Sequence, residues 1–170
     1  MLNWIGAAFI MVSAIVVGLI KREELRQREL ELQDFLQFLF CLENSFDCLK
    51  QGLCEAVKQA LPYCKTRFST VLEQVLTELY KASGKSASEI WESVLDNAVL
   101  AITTEDMAVF RSFGKGLNGN DFSAQKRNVL FTQKEIEKRL DDARESRNVN
   151  GKLTLQLSIF GSIAVVLLLL

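Results

Sequence analysis

Charge is confined to one part of this chain. All 20 Lys/Arg and all 21 Asp/Glu fall between Lys21 and Lys152, so residues 1–20 and 153–170 carry no charged side chain. A helix of 18 to 20 such residues is close to the length that crosses the roughly 30 Å of bilayer hydrocarbon at about 1.5 Å per residue. The layout predicts an N-terminal transmembrane helix over 1–20, one soluble domain over 21–152 and a C-terminal transmembrane helix over 153–170. The net charge of −1 is then an average over two unlike materials, and it offers no basic surface to nucleic acid.

Basic residues orient the spans. Lys21, Arg22, Arg26 and Arg28 follow the first apolar run, and Lys138, Arg139, Arg144, Arg147 and Lys152 precede the second. By the positive-inside rule the central domain is expected in the cytoplasm, with both termini reaching the far side of the membrane. No basic residue precedes the first run and no small-residue cleavage site follows it before Lys21, so a retained span is expected rather than a signal peptide. Small residues let helices approach closely, which makes Gly6, Gly18 and Gly161 the candidates for span packing.

Composition excludes much chemistry. Histidine is absent, which removes Ser-His and Cys-His catalysis, imidazole acid–base chemistry and His-ligated zinc. Pro62 is the one proline, too few turn residues serve a sandwich or barrel, and no glycine-rich loop follows a strand. Cys41, Cys48, Cys54 and Cys64 match no CxxC spacing and are expected as buried free thiols. Glu23/Glu24 and Asp141/Asp142 lie in charged helices and are expected on solvated faces rather than in catalytic dyads. No catalytic residue, metal or cofactor is expected.

The remaining pattern is helical. Leu25, Leu32, Leu39, Phe46 and Leu53, with Phe35, Leu42 and Leu49, repeat every seven residues and predict a long helix over 23–51 directly after the first span. Phe38 and Phe40 widen that apolar face, which favours a bundle over a two-stranded coil. A short helix over 53–61 is expected to stop near Pro62. The next, over 66–81, carries Phe68, Val71, Leu72 and Val75 and closes at Gly84. A further helix begins at Ser86 or Ser88, with Ile90, Trp91, Val94, Leu95, Ala98 and Ile102 on one side. Thr103 opens another, with Val109, Phe110 and Phe113. Residues 114–121 are rich in glycine, but no strand precedes them and no Gly-Lys-Ser/Thr follows, so a helix connection is predicted. Asp121 or Ser123 caps the last helix, over 124–149, whose apolar stripe is Val129, Ile136, Leu140 and Ala143. The predicted fold class is all-α, a cytoplasmic helical bundle between two transmembrane helices.

Four stretches carry a resemblance. They are Met1-Leu2 through Gly6-Ala7; Cys41-Leu42-Glu43-Asn44 with Gly52-Leu53-Cys54-Glu55-Ala56; Phe113-Gly114-Lys115-Gly116-Leu117 with Asp121 and Gln125; and Leu157-Ser158-Ile159-Phe160-Gly161. Together they resemble the stage III sporulation protein AB family of endospore-forming bacteria. The resemblance implies a subunit of the channel complex that links mother cell and forespore. It also implies a helical domain similar to the cytoplasmic domains of type II secretion and type IV pilus inner-membrane platform proteins. The implied role is a non-enzymatic platform in the mother-cell membrane, facing the forespore. Its implied partners are the sporulation ATPase encoded beside it, other channel membrane subunits and the lipid bilayer. Phe113, Gly114, Leu117, Asp121 and Gln125 become the candidates for partner contact. Two other readings stand beside it: a homo-oligomeric membrane-anchored helical scaffold, or a thiol-dependent regulator, each without an ATPase partner.

Overall fold

A computed structural model describes residues 2–48, 52–81, 84–118 and 122–169, with side chains for 12–13, 15–45, 52–81, 84–117, 123–149, 156 and 160–161. Among these residues the chain is all-α, as predicted, with no strand. In order come α1 (Leu2–Cys48), α2 (Leu53–Ala60), α3 (Arg67–Tyr80), α4 (Ala87–Asn97), α5 (Thr104–Lys115), a single 3-10 turn (Gly116–Asn118) and α6 (Phe122–Leu169). The chain divides into two compact units, one of Met1–Gln27 with Asp142–Leu170, the other Arg28–Asp141. Among the described residues no helix is long and apolar enough to cross a membrane. The side chains of 1–11, and most of those in 150–170, lie outside that description.

Helices α3, α4 and α5 begin where side chains take up their unpaired N–H groups. Thr66 is extended and its hydroxyl accepts from Phe68 N–H, which starts α3. Reciprocal capping boxes, Ser86 with Glu89 and Thr103 with Asp106, start α4 and α5. Gly84 lies between α3 and α4 at φ +71°, a backbone region that favours glycine. Helix α4 ends at Asn97, earlier than the apolar spacing through Ala98 and Ile102 predicts. Ala98 turns extended (φ −79°, ψ 134°), and the N–H of Ala101 donates to Glu31 on α1 at 2.6 Å. A tertiary bond thus replaces further helical turns. Helix α6 starts at Phe122, two residues before the predicted start; Asp121, one of its expected caps, lies outside the described residues.

The core of the unit Arg28–Asp141 is aromatic. Phe35, Phe38, Phe68, Trp91, Phe110 and Phe113 are fully buried. Phe35 is at the centre, stacked on Phe110 at 3.8 Å and edge-on to Phe68 at 5.4 Å and Phe113 at 5.6 Å. Rings of this size dominate a small core because each removes a large apolar area from water. The heptad row of α1 supplies Leu32, Leu39 and Leu42 around them, and α6 supplies Val129, Ile136 and Leu140, all buried as the spacing predicts. Phe40 is the departure: it is 39% exposed, so it does not widen the buried face.

Candidate functional site

The segment from Phe113 to Gln125 is built by close packing. Phe113 meets Trp91 edge-on at 5.1 Å, and Trp91 Nε1 donates to the carbonyl of Phe110 at 2.8 Å. A Cβ on Gly114 would stand 2.2 Å from Trp91 Cδ1, so glycine is what lets α5 lie against the indole. A Cβ on Gly116 would stand 2.2 Å from Asn128 Nδ2 on α6. That same nitrogen donates to the Phe113 carbonyl at 3.0 Å. Gln125 Nε2 donates to the carbonyl of Leu117 at 3.5 Å.

The structure therefore brings Phe113, Gly114, Leu117 and Gln125 together where α4, α5 and α6 meet. Phe113, Gly114 and Leu117 are buried and their contacts lie within the domain; Gln125 is half-buried, and Asp121 lies outside the described residues. Among its described residues the segment presents Lys115 and Ser123 outward, with Ser112 exposed just ahead of it. Of the span-packing candidates, Gly18 is buried, Gly161 is exposed with no atom within 4 Å of an added Cβ, and the surroundings of Gly6 lie outside the description.

Sequence reasoning missed a polar row on α1. Arg28, Glu31 and Asp34 follow one another at intervals of three residues, beside the buried heptad. Each is tied to a different part of the chain. Arg28 grips Asp106 of α5 through Nε at 2.7 Å and Nη2 at 3.1 Å. Glu31 accepts from Ala101 N–H at 2.6 Å. Asp34 accepts from the N–H groups of Lys65 and Thr66, both at 2.8 Å, just ahead of α3. The signal was present: charges at 28, 31 and 34 flank Leu32 and Phe35, too close to a buried stripe to be freely solvated.

Two buried acids in this region have opposite electrostatics. For Asp106, burial disfavours the charge, but hydrogen bonds from Arg28 and Thr103 outweigh it and hold the carboxyl below its usual value. For Glu31, burial also comes first, and the Ala101 N–H and the Arg67 charge do not offset it, so its carboxyl is pushed up. Surface ties are of another kind. Arg111 on α5 reaches Asp96 at 2.7 Å and Glu92 at 3.6 Å on α4, all at least one-third exposed.

A shallow cleft of about 220 Å³ runs between α3 and the end of α4, lined by Arg67, Thr70, Val71, Gln74 and residues 97–100. Its hydroxyl and amide lining contains no nucleophile with an adjacent base. Cys41, Cys54 and Cys64 are free thiols, and the side chain of Cys48 lies outside the described residues. Burial pushes the Cys41 thiol up and, with the Asp34 charge adding to it, pushes Cys64 up to about 12. A thiol held protonated is a poor nucleophile, which weighs against thiol-dependent regulation at these two positions. Among the described residues no group of three or more Cys, Asp or Glu is placed to hold a metal ion.

The family model described as stage III sporulation protein AB matches residues 3–170. No curated protein and no solved structure matches the chain.

Proposed function

Because the chain belongs to the stage III sporulation protein AB family, and so has a role in sporulation, we propose that it is a non-enzymatic platform subunit of the channel complex between mother cell and forespore. The observation that carries this reading is the extent of the match. It takes in both uncharged apolar runs and the whole charged domain between them. In this reading residues 1–20 and 153–170 are membrane spans, the basic residues beside them favour a cytoplasmic side for the helical domain, and the cell is the mother cell. The domain's part is to dock a cytoplasmic ATPase and couple it to the other membrane subunits. Each apolar run belongs to the same helix as a segment of the bundle, α1 or α6. Docking falls to outward side chains: Ser112 and Lys115 beside the Phe113 segment, and the charged outer face of α6.

A non-enzymatic role is consistent with a chain that has no histidine and with a core given over to packing. The test is affinity purification from sporulating cells of the full chain and of a form with residues 21–152 replaced by an unrelated helical domain. The ATPase is expected with the first and not with the second. Equal recovery from both would overturn the docking role. Cysteine-free chain is expected to support normal sporulation; loss of spores in that strain would favour the thiol-dependent reading instead.

A further inference from the structure

We propose that Glu31 is a proton-linked pin: in its neutral form it holds the α4–α5 connection, residues 98–103, against α1, and on ionisation it releases that connection. The geometry is unusual for a glutamate. Glu31 is 0% exposed. One of its oxygens accepts from Ala101 N–H at 2.6 Å, and the other, Oε1, is buried with no hydrogen-bond partner. A carboxylate stripped of water and given a single bond is costly to keep charged, whereas the neutral acid is tolerated far better.

The charged groups around Glu31 do not reverse that balance. Arg67, at the start of α3, favours the ionised form; Asp34, one turn further along α1, opposes it. Arg28, one turn back, is committed to Asp106. Burial is the largest influence and its direction is upward.

The connection has a second anchor of opposite character. Asp106 accepts from Thr103 N–H at 3.0 Å and is paired with Arg28, so that end stays fixed above the acid range. Ala101 alone depends on Glu31's proton. The freed stretch is the one that shapes the cleft against α3: Ala98, Val99 and Leu100 form one wall, and Val99 is 75% exposed. Release of the pin therefore alters a surface a partner can reach, and it ties the shape of that surface to pH.

The sign follows from linkage. A carboxyl whose midpoint is raised by folding binds its proton more tightly in the closed state. Closure is then favoured at low pH and weakens as pH rises from the ordinary glutamate value of 4.5 towards Glu31's own midpoint. The test is amide hydrogen exchange of residues 98–103 in the full chain, corrected for the intrinsic pH dependence of exchange. Protection is expected to fall about tenfold per pH unit across that window and to level off above it. In Glu31→Gln the amide carbonyl still accepts from Ala101 N–H but cannot ionise, and protection is expected to stay flat. A flat profile in the natural chain, or an equally steep one in the variant, overturns the proposal. Should the variant fail to fold, a carboxyl-carbon NMR titration of Glu31 in the natural chain decides: a midpoint above 4.5 supports the pin, and a midpoint at or below it overturns it.

Discussion

Within the unit Arg28–Asp141, α1 and α6 are attached to the rest of the bundle by different means. Helix α1 places two fully buried rings, Phe35 and Phe38, at the centre, and beside them a row of charged residues bonded to backbone and carboxylate groups of other elements. Helix α6 contributes an aliphatic stripe of Val129, Ile136 and Leu140. Its polar ties include neutral amides, Asn128 to the Phe113 carbonyl at 3.0 Å and Gln133 to Glu43 at 2.8 Å, and the partly exposed pair Arg139–Glu105. Buried charge is directional and costly when left unpaired, so it fixes where loops sit. Neutral amides and exposed ions tolerate loss. The comparison teaches that α1 organises the domain and α6 covers it.

Substitutions on the two sides sharpen or break that contrast, and unfolding of the full chain in denaturant reads each of them. Phe35→Ala is expected to cost most, about 3–5 kcal/mol, because it empties the site that five other rings pack against. Asp106→Asn follows at about 2–4 kcal/mol, since it leaves Arg28 without its counter-charge in a largely buried place. Asp106 also carries a pH signature. Its folded carboxyl lies below the ordinary value of 3.8, so its contribution is present above that value and is lost as pH falls through the folded midpoint. The Asn variant is expected to lack that acid-side loss.

Gly114→Ala comes next, at about 1–3 kcal/mol, because the new methyl meets the Trp91 indole and either α5 or the ring must move. On the covering side, Arg139→Ala is expected to cost no more than about 1 kcal/mol, its partner Glu105 being 75% exposed. A larger loss from Arg139→Ala than from Asp106→Asn would break the contrast between the two helices.

Much of the fold was legible before the structure, for physical reasons that can be named. The heptad on α1 and the stripe on α6 are repeated apolar signals, and each such residue removes area from water whatever its neighbours are. The starts of α3, α4 and α5 were legible because Thr66, Ser86 and Thr103 satisfy backbone groups a few residues away. The end of α4 was not, because it depends on Glu31, 70 positions from Ala101. The candidate segment was found by its residues, and Phe113 was legible as part of the apolar face of α5, yet the burial of Gly114 was hidden, since glycine gives no sign of which ring presses on it. Only placing Trp91 beside Gly114 shows that.

We propose that this sporulation protein docks a cytoplasmic ATPase at the membrane as a platform. The most direct measurement is purification of the full chain from membranes of sporulating cells, with the accompanying proteins identified by mass spectrometry. The chain is expected in the membrane fraction, with the ATPase and other membrane subunits accompanying it. Recovery of the chain alone, or only with further copies of itself, would contradict that claim.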